Sequence, residues 1–80
     1  MMALREWFHW TNKGTFRIEA TTMLGDIVYV LWLGQTYLGT YLCSGTAAAS
    51  IASGEHDQVL GFNASALTVP ADLEAWNGFR

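Results

Sequence analysis

The residues with the greatest chemical potential lie in two short segments, Cys43-Ser44-Gly45-Thr46 and Glu55-His56-Asp57. Histidine titrates near neutrality, so the second segment could supply a general base or a metal ligand. Three adjacent side chains point in different directions, however, so they cannot easily bind one metal ion together. We therefore expect a solvated loop after the C-terminus of a helix, where a histidine also interacts favourably with the helix dipole.

Cys43 precedes a predicted helix, and a thiol at a helix N-terminus can become reactive. No second cysteine is present for a redox pair or a disulfide, so the interpretation that we favour is a small buried hydrophobic residue. The segment Ser44-Gly45-Thr46 invites comparison with phosphate loops, but it lacks the lysine and the spacing of a P-loop. Backbone N–H groups at the helix start could still hold an anion.

One cysteine and two histidines, His9 and His56, cannot complete a four-ligand zinc site without carboxylates. His9 lies between Phe8 and Trp10, and we expect it either to point outward from a strand or to pack among aromatic rings. No nucleophile–base pair is visible in the sequence. We therefore predict a protein that is not an enzyme, with no catalytic, cofactor-binding or metal-binding residues. A small-ligand binder or enzyme subunit using His56 or Cys43 remains an alternative.

The elements that must position these residues are predicted to begin with a sheet. Residues 15–23 alternate between apolar and polar side chains, which is typical of a half-buried strand. Residues 27–33 contain no polar side chain, so we expect the central strand of the sheet, covered on both faces. Residues 36–42 predict a further strand, in which Gly39 marks a bulge or a close backbone approach. Residues 4–11 fit a helix or a strand, and the turn Asn12-Lys13-Gly14 favours a strand.

The alanine-rich residues 44–54 predict a helix that packs on this sheet. Ser44 is a suitable N-cap and Gly54 a suitable C-terminal stop. The face expected to be buried carries Ala48, Ile51 and Ala52. Residues 69–76 predict a short C-terminal helix, because proline suits its first turn and acidic residues follow. The predicted fold class is α+β, an antiparallel sheet of three to four strands with these two helices, in one domain over residues 1–80.

The composition predicts self-association. Hydrophobic residues make up 51% of the chain and charged residues only 14%, against about 25% charged in an average protein. An eighty-residue chain buries a small fraction of its surface and cannot hide four Trp, three Tyr and four Phe in one core. Large exposed aromatic patches mark interaction sites. The candidate interaction surface consists of Trp10, Tyr29, Trp32 and Tyr37.

Charge and hydropathy restrict the partners. The net charge is −3 and the four basic residues form no cluster, so we expect no broad contact with nucleic acid phosphates. The apolar residues 27–42 are interrupted by Gly34-Gln35-Thr36, which leaves no stretch of about 20 residues to cross a membrane. The N-terminus lacks the apolar region of a leader. With a single reduced cysteine, we expect a cytoplasmic protein of bacterial type.

The sequence Leu38-Gly39-Thr40-Tyr41, followed by Ala47-Ala48 near a helix start, resembles the last strand and helix of AP2-type and integrase arm-type DNA-binding domains. That resemblance covers about a quarter of the chain and implies a three-stranded sheet with one helix behind it. Those families read DNA with Arg and Trp side chains of the sheet, a role that could pass only to Arg17 and Trp32. The whole chain also resembles small bacterial proteins in which such a sheet pairs with an alanine helix.

From these observations we expect a small non-enzymatic binding domain that forms a homodimer, or binds another protein, through an aromatic sheet surface. The alternatives are an AP2-like nucleic-acid-binding module and a ligand-binding or enzyme subunit. The sequence points to no cofactor.

Overall fold

Four antiparallel strands joined by short turns precede the helical part of the chain in the computed structural model, which describes residues 5–79. The strands are β1 (Arg5–Thr11), β2 (Gly14–Met23), β3 (Asp26–Leu33), β4 (Thr36–Tyr41) and β5 (Asn77–Phe79). Between β4 and β5 lie helices α1 (Ser44–Ala52) and α2 (Asp57–Leu60) and two 3-10 turns, Ala64–Leu67 and Leu73–Ala75. The predicted α+β class is confirmed. Residues 1–4, on which the leader prediction rests, lie outside the described part.

The strand order is β4-β3-β2-β1-β5. The prediction that β3 would be the centre of the sheet was wrong, because the short strand β5 adds to β1 and makes β2 the middle strand. Both β2 and β3 are nevertheless inner strands, each paired with a neighbour on either side. The apolar character of β3 agrees with that inner position.

The turn between β2 and β3 has an unfavourable residue at its first position. Leu24 and Gly25 both have positive φ, +53° and +88°, as a type I′ hairpin turn requires. Glycine adopts this conformation without strain, but a leucine Cβ crowds the following carbonyl oxygen. The Leu24 side chain is also fully exposed, so no burial offsets the backbone cost.

The main core cluster lies on one face of the sheet, which we call the inner face; Val28 and Val30 of β3 are also buried, on the opposite face, as the prediction of a strand covered on both faces requires. Alternation in β2 places Phe16, Ile18 and Ala20 on this face, all buried, as the sequence predicted. Leu31 of β3 lies opposite Ile18 and is fully buried as well. Helix α1 covers these side chains, and its small residues Ala47, Ala48 and Ser50 are buried together with Ile51. Ala52, which was expected to be buried, is exposed, because it lies on the other side of the helix.

Helix α1 ends as predicted and begins one residue earlier than predicted. Gly54 has φ +83° and its N–H donates to the Ile51 carbonyl, while the Glu55 N–H donates to the Ser50 carbonyl. These two bonds form a Schellman motif. At the start, Cys43 rather than Ser44 occupies the N-cap position.

The predicted C-terminal helix over residues 69–76 is reduced to the 3-10 turn Leu73–Ala75. Asp72 begins the turn by accepting a hydrogen bond from the Glu74 N–H at 3.0 Å. The Trp76 indole N–H donates to the Pro70 carbonyl oxygen at 2.9 Å, which takes that carbonyl out of any helical hydrogen bond. Leu73 and Trp76 do anchor the segment, because both join the core on the inner face.

We predict that Leu24→Asn raises the free energy of unfolding by about 1 kcal/mol, because asparagine tolerates the left-handed backbone that leucine resists. Urea unfolding followed by circular dichroism measures the change. Met23→Asn is the matched control, since Met23 is also exposed but has an ordinary strand backbone. An equal gain in both variants would contradict the explanation by backbone strain.

Candidate interaction face

The side of the sheet opposite α1 carries a mixed aromatic and charged surface, which we call the outer face. The strand register places the following side chains on it: Glu6, Phe8 and Trp10 of β1, Arg17, Glu19 and Thr21 of β2, Val28, Val30 and Trp32 of β3, and Tyr37 and Thr40 of β4. These side chains share one face because successive residues of each strand point alternately to opposite sides of the sheet.

Arg17 lies at the centre of the outer face between two carboxylates. Its guanidinium Nη1 is 3.0 Å from Glu6 Oε2 and 3.6 Å from Glu19 Oε1. The guanidinium also lies over the Trp32 ring, 5.2 Å from its centroid. Two carboxylates thus share one cation, and the three side chains are only about a quarter exposed.

Aromatic side chains extend from this cluster across the face. Trp32 donates its indole N–H to Glu19 Oε1 at 3.2 Å and packs edge-on against Tyr37, with ring centroids 5.7 Å apart. The Tyr37 hydroxyl bonds the Thr40 hydroxyl at 2.7 Å. Tyr37 is 54% exposed and Trp10 is 76% exposed. The hydrogen bonds hold Trp32 and Tyr37 in place while much aromatic surface stays open.

The structure brings together three of the four residues of the predicted interaction surface. Trp10, Trp32 and Tyr37 share the outer face, whereas Tyr29 lies opposite Ala20 on the inner face. There Tyr29 packs at the edge of the core, with its ring centroid 6.3 Å from that of Trp7. Tyr29 and Trp32 are three positions apart in one strand, and an odd spacing places two side chains on opposite faces.

Strand β4 contains the irregularity that its glycine predicted. Leu31 pairs with Gly39 and Trp32 with Tyr37, so Leu38 has no opposite residue and forms a bulge. The Tyr41 ring lies against Gly39, where an added Cβ would be 3.1 Å from that ring. The bulge brings Tyr37 beside Trp32, and the glycine lets Tyr41 turn toward α1.

A polar network joins β4 to the end of α1. His56 is only 5% exposed, so the expectation of a solvated loop is wrong for this residue. Its Nε2 lies 2.9 Å from the Tyr41 hydroxyl and 3.0 Å from the Ser50 hydroxyl. The Schellman motif turns the chain back over the helix end and thereby buries the histidine.

Two hydroxyl groups of this network donate their hydrogens to oxygen atoms outside the histidine. The Tyr41 hydroxyl donates to Glu55 Oε2 at 3.0 Å, and the Ser50 hydroxyl donates to the Ala47 carbonyl at 2.8 Å. With these hydrogens used, a hydrogen on His56 Nε2 would be shared between the two hydroxyl oxygens in one bifurcated bond. Asp57 does not join them, because its Oδ1 accepts from the Ala64 N–H at 2.8 Å. The arrangement fastens the helix end to the sheet.

Burial raises the pKa of the Tyr41 phenol; the hydroxyl of Ser50 acts in the opposite direction, and the Glu55 carboxylate adds to the rise. A phenol with a raised pKa favours the folded state while it is neutral. Its contribution is complete below the ordinary value of about 10 and is lost as the pH rises through the folded value.

His9 and Cys43 are the remaining residues with chemical potential. His9 packs among aromatic rings, with its ring centroid 5.7 Å from that of Trp76. Cys43 is exposed, so the expectation of a buried hydrophobic residue is wrong. The backbone N–H groups of Thr46 and Gly45, and then the Thr46 side chain, lower the pKa of the thiol. Within residues 5–79, no three His, Cys, Asp or Glu side chains are grouped so that they could hold a metal ion.

A cavity of about 370 Å³ lies between β1, the start of α1 and residues 71–76. The Arg5 guanidinium lies over the Trp7 ring at its edge, 4.7 Å from the centroid, and Asp72 and Glu74 also line it. Among the described residues, no buried side-chain polar atom lacks a hydrogen-bond partner. The cavity therefore presents no buried group that waits for a ligand.

No known protein family, curated protein or solved structure matches this chain. Within the described part, no helix is long and apolar enough to cross a membrane. A function for this chain is therefore inferred from its own geometry.

Tyr41→Phe should lower the free energy of unfolding by about 1–2 kcal/mol at neutral pH, because it removes the hydroxyl that joins His56 to Glu55. The difference from wild type should shrink above about pH 10, where the wild-type phenol must be kept neutral at a cost. Urea unfolding across this pH range measures both effects. Tyr37→Phe is the control and should change stability little, since its hydroxyl bonds an exposed threonine.

Alkylation of Cys43 by iodoacetamide should show a midpoint at lower pH in the folded protein than in the urea-unfolded chain, because the N–H groups at the start of α1 stabilise the thiolate. Mass spectrometry of timed reactions measures the rate. Thr46→Val should recover only part of the difference, since the backbone donors remain. Equal midpoints in the folded and unfolded states would contradict the assigned cause.

Proposed function

We propose that this protein is a small non-enzymatic binding domain that forms a homodimer through its outer face. One observation carries the proposal: the chain after β4 packs on the inner face with α1. Ala64, Val69, Leu73 and Trp76 all belong to the same core cluster as Phe16. Within the described part of the chain, these C-terminal residues pack on the inner face, and on the outer face the apolar residues Val28 and Val30 are buried beside partly exposed neighbours.

The chemistry of the outer face supports a protein partner. Trp10 and Tyr37 expose large rings, and aromatic residues of this kind are enriched in the energetically dominant parts of interfaces. Scattered exposed apolar residues are ordinary on a protein surface, but a contiguous patch marks an interaction site. The Trp32–Tyr37 pair is already held by hydrogen bonds, so binding would cost little side-chain entropy.

A second copy is the partner that we favour. A twofold interface places the same patch on both subunits, so each patch must complement itself. The outer face carries one cation and two carboxylates beside a row of aromatic side chains, so it offers both signs of charge to its own copy. The five strands present roughly 500 Å² in plan at the usual strand spacing, the same order as the ~800 Å² per partner of a standard interface.

The nucleic-acid alternative has less support. Arg17 and Trp32, the residues that the resemblance to AP2-type domains would use, do lie together on the outer face. Arg17 is engaged by Glu6 and Glu19, however, and these carboxylates would repel phosphate. Catalysis also has little support, because the Ser50–His56 pair is buried and its hydroxyl donates to a backbone carbonyl.

Light scattering across a dilution series tests the proposal. We expect a dimer for the wild type and a monomer for Trp10→Glu, because the substitution places a charge in the exposed apolar part of the face. Val59→Glu is the matched control, since Val59 is equally apolar and 72% exposed but belongs to α2 in the helical layer. It should leave the molar mass unchanged.

Circular dichroism must show that both variants keep the wild-type fold. A monomeric wild type at all concentrations would refute the dimer. A dimer that survives Trp10→Glu but dissociates in Val59→Glu would place the interface on the helical layer instead. Salt-sensitive binding of duplex DNA that is lost in Arg17→Gln would favour the nucleic-acid alternative.

A further inference from the structure

The cavity beside the start of α1 has the dimensions of a small-molecule site. Its volume is about 370 Å³, within the range of roughly 300–1,000 Å³ that is usual for ligand pockets. Ser44, Gly45 and Ala71 line it with short side chains or none. A methyl group added at Gly45 would meet Cys43 Sγ only at 3.9 Å, so the backbone of α1 borders open space there.

The apolar wall of the cavity consists of two tryptophan rings and Leu73. Trp7 extends from β1 to the inner face, because it pairs with the buried Ile18. Trp76 already donates its indole N–H to the Pro70 carbonyl oxygen, so its ring is the group that a ligand can contact. Aromatic rings of this kind pack well against another aromatic or apolar group.

Charged groups of opposite sign line the same cavity without pairing to each other. The Arg5 guanidinium lies over the Trp7 ring, 4.7 Å from its centroid, and Asp72 and Glu74 are the acidic residues of the lining. Within residues 5–79, no ion pair joins this guanidinium to either carboxylate. A cation and two carboxylates that share a cavity but remain apart are complementary to a molecule that carries both charges itself.

We propose that this cavity binds a free α-amino acid with an apolar side chain. The carboxylate of the ligand lies beside Arg5, because guanidinium N–H groups bind carboxylates with two parallel hydrogen bonds. The ammonium group lies beside Asp72 and Glu74, and the apolar side chain packs on the tryptophan rings. The positive end of the α1 dipole also borders the cavity, at Ser44 and Gly45, and favours the anionic end of the ligand.

A ligand with both charges fits the cavity better than a ligand with one. A simple anion would be repelled by Asp72 and Glu74, and a simple cation would be repelled by Arg5. The site is also separate from the proposed interface, since Arg5 and Trp7 pair with the inner-face side of β2. Binding of the amino acid therefore does not depend on the dimer.

The experiment is a titration of the full chain with L-phenylalanine at neutral pH, followed by N–H correlation NMR. The four tryptophans supply both the probe and its control. We expect the indole signals of Trp7 and Trp76 to shift and to saturate. The signals of Trp10 and Trp32, on the outer face, should stay in place. The same spectra show whether each variant keeps the wild-type fold.

Two analogues test the two charges of the ligand separately. Hydrocinnamate lacks the ammonium group of phenylalanine, and phenethylamine lacks its carboxylate. Each should bind about tenfold more weakly than L-phenylalanine, because a hydrogen bond between charged groups is lost. Equal dissociation constants for the three ligands would overturn the proposal. No shift of the Trp7 signal with L-phenylalanine up to about 10 mM would also overturn it.

Substitutions in the cavity should discriminate between these ligands. Arg5→Gln should weaken L-phenylalanine about tenfold without weakening phenethylamine, which has no carboxylate. The double variant Asp72→Asn, Glu74→Gln should weaken L-phenylalanine without weakening hydrocinnamate. Asparagine keeps an oxygen that can accept the Glu74 N–H, so the turn is preserved. Lys13→Gln is the matched control for Arg5→Gln, since Lys13 lies against the Phe62 ring instead, and it should bind all three ligands as the wild type does.

The outcomes separate this proposal from the proposed dimer. A wild type that is dimeric by light scattering but does not bind L-phenylalanine would overturn the amino-acid site and leave the proposed function intact. A monomeric wild type that binds L-phenylalanine with the expected discrimination would support the site and refute the dimer. Cavity variants that weaken all three ligands alike would overturn the assignment of the two charges.

Discussion

The close packing of a small-residue helix on the inner face of a twisted sheet is the contact on which the rest of the structure depends. Phe16, Ile18 and Leu31 are fully buried against Ala47 and Ala48. Alanine side chains let the helix approach the sheet closely, so dispersion contacts are dense even though the helix is short. An eighty-residue chain can form one such core. Because α1 and the segment 64–76 pack on the inner face, the described residues place no helix on the outer face.

The polar network and the outer face are consequences of this layering. Tyr41 leaves the sheet toward the helix, and the hydroxyl groups of Tyr41 and Ser50 meet His56 at the helix end. A buried histidine is tolerated because hydrogen bonds satisfy it. On the outer face Val28 and Val30 are buried, whereas Arg17, Glu6 and Glu19 remain about a quarter exposed beside Trp32. The His56 network is buried and holds the helix end to the sheet, whereas the Arg17 cluster is partly exposed to solvent.

Local patterns predicted the elements well. The alternation of Phe16, Ile18 and Ala20 predicted both β2 and its buried side, because a period of two leaves no ambiguity. Gly39 predicted the bulge in β4, and Gly54 predicted the end of α1, since each glycine has a backbone role that few other residues fill. The same alternation in β3 could have separated Tyr29 from Trp32. That separation was missed because a strand apolar on both sides gives no polar face as a guide.

The sequence by itself determined strands β1 to β4, helix α1, their turns and the scarcity of charge, because these depend on short-range sterics, periodicity and composition. Only the tertiary structure decided where the remote segments go. In the folded protein His56 is buried and Cys43 is exposed. The strand Asn77–Phe79 pairs with β1 at the edge of the sheet, and residues of the segment 64–76 pack on the inner face. These outcomes depend on which apolar surfaces meet across long stretches of chain. No local pattern encodes that competition.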